Sequence, residues 1–118
     1  MSETNQFGDK PTFTTVTVAS GAQLSSAFSL SGCTFVAFET PAAITGTTYS
    51  FYGSIDNGQT YVPIYDRNGS LYSFSSVAAS RGYPIDNANI FIGYDKIKIN
   101  TGTNEGADRV IKVKAYPI

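Results

Sequence analysis

Side chains that could act in catalysis are few in this sequence. Its 118 residues include no histidine and a single cysteine, Cys33. Histidine is the commonest general base and metal ligand, and a thiolate zinc site needs several cysteines. Downstream of residue 12 the remaining candidates are the carboxylates Glu39, Asp56, Asp66, Asp86, Asp95, Glu105 and Asp108. Most of them fall in turn sequences, where aspartate bonds its own backbone. A paired-carboxylate hydrolase stays formally possible, but we predict a protein that is not an enzyme.

Two polar stretches contain oxygen ligands of the kind that calcium binds. The stretches 86–89 (DNAN) and 56–57 (DN) supply oxygen atoms. Neither has the alternating acidic ligands and final glutamate of an EF-type loop. Turn chemistry explains both stretches, and we predict no cofactor and no metal. Cys33 begins an apolar run, so we expect it to be a small buried residue.

The eight residues 54–61, SIDNGQTY, resemble the Asp-box, a Ser-x-Asp-x-Gly-x-Thr-aromatic hairpin turn of sialidase-type propellers and of unrelated β proteins. The resemblance implies that the aspartate and the hydroxyl residues knit the turn together, and it implies no sialidase activity. Two Asn-Gly pairs also supply the positive φ that tight hairpin turns need. We predict two structural turns, formed by Ser54, Asp56, Asn57, Gly58, Thr60, Asn68 and Gly69.

These turns would join three strands, 48–55, 60–66 and 70–76, into a meander on which the rest of the chain is organised. Alternation in the first strand predicts that Tyr49, Phe51 and Ile55 share one face and that the opposite face is wet. Further strands are predicted at 13–18, 24–30, 33–39, 90–93, 96–100 and 109–116. The apolar run 33–39 is typical of a central strand buried on both faces. Residues 77–89 are predicted to be a long crossover with one short helical turn at most, at 77–80.

The fold class follows from these strands. We predict an all-β protein, an antiparallel β-sandwich with a jelly-roll-like layout, eight or nine strands and no long helix. Residues 1–12 are predicted to be a flexible N-terminal arm, because they are polar and have no periodicity. Residues 13–118 are predicted to be a single sandwich domain.

Charge is sparse, at 14% of residues against about 25% in an average soluble domain. Such a surface suits packing against another protein or a sugar. The net charge is −1, and the alternating pairs Lys96/Lys98 and Lys112/Lys114 each lie on one face of a strand. These pairs are either solvated faces or a basic patch for an acidic partner, and nucleic acid is not predicted. We expect synthesis in a cytoplasm and no membrane association, since no secretion signal or membrane-length apolar run is found in the sequence.

Three stretches, TVTVASGAQLSSAFSL, FYGSIDNGQTYVPIYD and ADRVIKVKAYPI, together resemble small proteins encoded beside the capsid and tail genes of tailed bacteriophages. Several such proteins are head decoration, or cement, proteins: β-sandwiches or jelly rolls that lock neighbouring coat subunits, often as trimers. The resemblance implies a structural protein on the capsid surface of the virion. Its implied partners are the major capsid protein and further copies of itself, with a trimer favoured.

Three residues are expected to contact such a partner. Phe7 is a large apolar residue in a polar arm, and Arg81 and Tyr83 are residue types enriched at interfaces. Ordinary surface packing is the alternative for all three. Two other functions also stay open. One is a head–tail or tail accessory protein, and the other is a carbohydrate-binding β-sandwich for host attachment, with Tyr61, Tyr65 or Tyr72 as stacking platforms.

Overall fold

In the computed structural model of this chain, the described residues are 12–117. They form nine strands: β1 (Thr12–Val18), β2 (Phe28–Ser29), β3 (Cys33–Glu39), β4 (Tyr49–Ser54), β5 (Val62–Pro63), β6 (Ser73–Phe74), β7 (Gly82–Pro84), β8 (Lys96–Asn100) and β9 (Arg109–Pro117). Their one helix is a 3₁₀ turn, Ala88–Phe91. Within residues 12–117, no helix has the length and apolar character needed to span a membrane. The prediction of an all-β chain without a long helix is confirmed.

The strands form two antiparallel sheets, as predicted. Sheet A has the order β1-β9-β3-β7, and sheet B has the order β2-β8-β4-β5, with β6 also paired to β4. The longest pairing joins β1 to β9, from Thr12 opposite Ala115 to Val18 opposite Arg109, without a register shift. Because β1 begins at Thr12, the sheet includes the last residue of the predicted arm.

An aromatic core lies between the two sheets. Phe35 of β3 occupies its centre, with no exposed surface. Its ring centroid lies 5.1 Å from Phe28, 5.6 Å from Phe51 and 5.2 Å from Phe91, in edge-to-face geometry that aromatic pairs prefer. Cys33 is buried, as expected. The other residues predicted to point inward from β8 and β9 are also buried: Ile97, Ile99, Ile111, Val113 and Ala115.

The predicted three-stranded meander forms in shortened form, but its third strand also returns to the first. Both β5 and β6 pair with the same edge of β4: Gly53 lies opposite Val62, and Tyr49 lies opposite Phe74. The segment between them leaves the sheet as a small ladder closed by a Tyr65–Leu71 bridge. β5 ends at Pro63, and Ile64 is the crossing point: its N–H still donates to the Phe51 carbonyl of β4, but its carbonyl accepts from the Tyr72 N–H. The second Asn-Gly turn therefore belongs to this protruding ladder.

Residues 77–93 also differ from the prediction. The crossover contains a short strand, β7, and the helical turn lies at Ala88–Phe91 rather than at 77–80. The predicted strand 90–93 is therefore wrong. Within the helical turn Phe91 is fully buried, whereas Ile92 is 46% exposed. The helical turn thus places the Phe91 ring in the core.

Two predicted burial patterns fail for local reasons. β3 is not buried on both faces, because a register shift between Phe35 and Ala37 interrupts its alternation and leaves Val36 half-buried. Ile55 does not share the inward face of β4, since the strand ends at Ser54 and Ile55 is 74% exposed in the turn. The opposite face of β4 is not wet either, because Ser54 is buried within that turn. The predicted strand 24–30 shortens to Phe28–Ser29 with an isolated bridge at Leu24.

Candidate functional site

The outer face of sheet A combines exposed apolar and basic side chains. Strand register places Phe13, Lys114, Ala37 and Pro84 in one row across the sheet and Thr15, Lys112, Glu39 and Gly82 in the next. The small residues at 37 and 82 leave a shallow depression of about 410 Å³ between the larger ones. We call this surface, together with the outward residues Val110 and Tyr116 of β9, the sheet A face.

Charge and apolar surface are interleaved on the sheet A face. Phe13 is 57% exposed and Tyr116 48%. The Lys112 Nζ lies 5.5 Å from the Phe13 ring centroid, and the Lys114 Nζ lies 5.9 Å from that of Tyr116. Lys112 also pairs with Glu39 at 3.5 Å, but both side chains are more than half exposed, so this pair adds little stability. With Lys112 and Lys114 against Glu39, the face has a net charge of +1, and the two lysines lie over exposed rings. This combination suits an acidic partner surface with some apolar content.

The predicted contact residues have different surroundings. Tyr83 is half-buried: its ring stacks on Phe38 at 5.2 Å, and its hydroxyl accepts a hydrogen bond from the Ala78 N–H at 2.8 Å. Arg81 is exposed, and its backbone exchanges three hydrogen bonds with Thr40. Phe7 lies outside the described residues. Tyr83 thus supports the core, whereas Arg81 borders the sheet A face.

The Asp-box stretch folds as a hydrogen-bonded turn around two side chains. Ser54 Oγ donates to Asp56 Oδ1 at 2.7 Å and accepts hydrogen bonds from the N–H groups of Asp56 and Gly58. Thr60 donates to Asp56 through its hydroxyl and its N–H, at 2.6 and 2.9 Å. The Thr60 side chain, the Thr60 N–H and Ser54 lower the pKa of Asp56 to about 2. Positive φ at both Asn57 and Gly58 completes the turn.

The turn at Asn68-Gly69 has another geometry. Asp66 Oδ1 accepts hydrogen bonds from the N–H groups of Asn68 and Ser70. The Gly69 N–H donates to the Asp66 carbonyl, and of the Asn-Gly pair Gly69 alone has a positive φ, 86°. This is a three-residue loop closed by a glycine bulge. The hydrogen bonds to the Asp66 side chain, rather than a positive φ at Asn68, stabilise this turn.

Removing the Ser54 hydroxyl is expected to destabilise the fold. Ser54 is 1% exposed, and Ser54→Ala leaves the N–H groups of Asp56 and Gly58 without their acceptor. We expect a loss of about 2 kcal/mol in the free energy of unfolding, measured by urea denaturation. Ser73→Ala, at an exposed position of β6, is the control and should change it by less than about 0.5 kcal/mol. Equal effects from the two substitutions would show that the turn adds no stability.

The three tyrosines considered for sugar stacking are not equivalent. Lys98 Nζ lies 4.4 Å from the Tyr61 ring centroid. Tyr72 is half-buried and donates to Asp86 at 2.8 Å, and burial followed by this hydrogen bond raises its pKa. Tyr65 is 55% exposed, beside a polar groove lined by Arg67, Asn87, Asn89 and Ile90.

The stretches considered for calcium use their carboxylates locally. Asp56 is engaged by Ser54 and Thr60, and Asp86 by Tyr72. In the part of the chain that the structure describes, no three His, Cys, Asp or Glu side chains group closely enough to hold a metal ion.

Glu105, one of the carboxylates considered for catalysis, has a structural role that its neighbours in the sequence did not indicate. Glu105 is 2% exposed and accepts hydrogen bonds from the N–H groups of Thr45 and Gly46 and from Arg109 Nε, at 2.8, 2.9 and 3.1 Å. Burial opposes its ionisation, but the hydrogen bonds outweigh burial and lower its pKa. A Cβ at position 46 would overlap the Thr101 carbonyl, so glycine permits this approach. Glu105 joins the 41–47 loop to the start of β9.

Fold and surface together define a small protein of two antiparallel β-sheets with an apolar and basic outer face. No protein-family model matches the sequence, and no curated protein matches it. Among solved structures, the crystal structure of the SPBc2 prophage-derived protein YomS is similar. The two align with a TM-score of 0.54 and 14% sequence identity, over 89% of this chain and 93% of that chain. At this identity the likeness shows a shared fold.

Proposed function

We propose that this chain is a non-enzymatic structural protein of a tailed-bacteriophage virion. Within that class we propose a head decoration protein that binds across adjacent coat subunits on the capsid surface. The likeness in fold to a prophage-derived protein, which covers most of both chains, supports a phage origin. The resemblance of the three sequence stretches to small phage proteins supports it independently.

The sheet A face is the observation that carries the proposed docking role. Phe13, Val110 and Tyr116 are each about half exposed on one side of one sheet, where Lys112 and Lys114 stand over two of the rings. Exposed aromatic rings are enriched at interfaces, and Lys112 and Lys114 add positive charge that an acidic partner would complement. The major capsid protein is the partner that this role requires.

A decoration protein of this kind acts by mass action. Each copy bound to the assembled coat stabilises it by a free energy set by concentration and affinity, because the dissociated coat has no complete site. A capsid repeats the site many times, so contacts that are weak individually add up across the lattice. A rigid two-sheet domain loses little conformational entropy when it docks.

Binding to heads is expected to depend on the two lysines of the sheet A face. The test uses purified heads that lack the protein, and co-sedimentation measures the amount of protein bound per head. Wild-type protein should pellet with the heads and raise their resistance to heat. Lys112→Glu with Lys114→Glu should weaken binding at least about tenfold, since two favourable charges become unfavourable.

The matched control makes the same charge change on sheet B. Lys96→Glu with Lys98→Glu should leave binding to heads unchanged, because these residues lie on β8. If the protein pelleted with purified tails and not with heads, the tail accessory function would replace this proposal. Equal losses from both double variants would show that net charge, and not the sheet A face, controls binding.

A further inference from the structure

The outer edge of β1 carries backbone groups that nothing in the described chain uses. The Thr17 N–H donates to Ser26 Oγ at 3.1 Å, and the Thr17 carbonyl accepts from the Ser26 N–H at 2.9 Å. The backbone N–H and carbonyl of Thr17 therefore point away from β9. Because backbone groups alternate along a strand that is paired on one side, Phe13 and Thr15 also point their N–H and carbonyl groups away from β9. No residue within 12–117 bonds to these four groups.

This edge differs from the other sheet edges in the described residues. β2 and β6 have two residues each, β5 ends in Pro63, and β7 has three residues and ends in Pro84. Short length and proline are the devices that keep edges from pairing. β1 has seven residues, TFTTVTV, without a charge, a proline or a glycine. Its edge thus lacks the usual protection.

We propose that the edge of β1 pairs antiparallel with the β1 edge of a second copy of this chain. With Thr14 opposite Thr14 on a two-fold axis, Phe13 of each copy faces Thr15 of the other. Each such pair exchanges two hydrogen bonds, so the four free groups on each chain form four bonds in total. Thr17 keeps its bonds to Ser26, which ends the pairing there. The two copies of sheet A become one continuous eight-stranded sheet.

Charge favours a second copy as the occupant. A two-fold contact brings identical residues together, so a charged strand would repel itself, and β1 has no charged residue. Among residues 12–117 the lysines nearest to β1 lie on β9, and the backbones of the two β9 strands would be three strand spacings apart, about 14 Å. That exceeds the Debye length of about 8 Å in physiological salt. The contact is isologous and closes at two copies, so it predicts a dimer rather than the trimer that the phage resemblance implies.

Thr15→Pro tests the edge without removing a bond inside sheet A, because the Thr15 N–H points outward. Sedimentation velocity over a range of concentrations should give a reversible monomer–dimer equilibrium for the wild type. Thr15→Pro should weaken dimerisation at least about tenfold, since it removes two of the four donors. Thr15→Val keeps the N–H and should dimerise like the wild type. Circular dichroism confirms that both variants fold.

Hydrogen exchange supplies a second readout. The Phe13 and Thr15 amides should exchange rapidly at low protein concentration and become protected as the dimer forms, while the Thr17 amide stays protected throughout. A monomer at all concentrations, a dimer unaffected by Thr15→Pro, or a trimer would overturn the proposal. Protection of the Phe13 and Thr15 amides in dilute monomer would overturn it as well, because the edge would then be covered by the same chain. None of these outcomes depends on capsid binding.

Discussion

Phe35→Ala is expected to destabilise the fold by about 4 kcal/mol, close to the largest loss that a single core truncation causes. Phe35 of sheet A has no exposed surface, and its ring makes edge contacts with Phe28 and Phe51 of sheet B and with Phe91 of the helical turn. Alanine would remove the transfer free energy of the ring and leave a cavity among rigid neighbours that cannot collapse into it. Urea or thermal denaturation measures the change.

The same substitution at Phe13 is the matched control. Phe13 is 57% exposed, so Phe13→Ala should change the free energy of unfolding by less than about 1 kcal/mol. Phe35→Leu, which retains most of the volume, should fall between the two. A loss below about 1.5 kcal/mol for Phe35→Ala would show that the two sheets do not share one core. Such a result would contradict the two-layer architecture itself.

Regular alternation explains why much of this fold was predictable. Ile97 and Ile99 of β8, and Ile111, Val113 and Ala115 of β9, alternate with polar or exposed residues, so their inward direction follows from the two-residue period of a strand. Each bound of the long strands β1, β3, β4, β8 and β9 lies within one residue of its predicted position. The position of such a strand and the direction of its side chains follow from its own residues, without knowledge of the strand that it pairs with.

The features of the fold that were not predicted depend on which strands pair with one another, and a single sequence does not specify this. Nothing local to β6 says that it pairs with β4 beside β5. The apolar residues 90–92 fit a strand or a helix equally well until the position of Phe91 in the core is known. The sheet A face shows the same limit. The Lys112/Lys114 alternation was visible, but the approach of Arg81 and Pro84 arises from the pairing of β3 with β7.

Glu105 shows this limit most clearly, and Glu105→Ala is expected to cost at least about 3 kcal/mol. The sequence TGTNEGA around it is typical of a polar turn, yet its side chain is completely buried and bonds to Arg109, whose side chain is 16% exposed. Alanine would leave the Arg109 Nε–H and the N–H groups of Thr45 and Gly46 without their acceptor, and unpaired buried groups are costly. Denaturation at neutral pH measures the loss.

Glu39→Ala is the control for Glu105→Ala, because Glu39 also pairs with a cation but its side chain is 57% exposed. It should change the free energy of unfolding by less than about 0.5 kcal/mol. Comparable losses from Glu39→Ala and Glu105→Ala would mean that the burial of Glu105 is not what makes it important.

The pH dependence separates the charge of Glu105 from its packing. Hydrogen bonds hold the pKa of Glu105 below its ordinary value of 4.5 in the folded state. The ionised carboxylate therefore adds stability that is fully present above the unfolded-state pKa and is lost as the pH falls through the lower, folded-state pKa. Glu105→Gln keeps the shape and removes the titration, so its stability should fall less steeply than that of the wild type below about pH 5. Asp56, whose pKa is lowered to about 2, would still contribute a slope in both proteins. Identical slopes in the two proteins would mean that folding does not shift the pKa of Glu105, and the stabilisation of its ionised carboxylate by Arg109 and the two N–H groups would then be wrong.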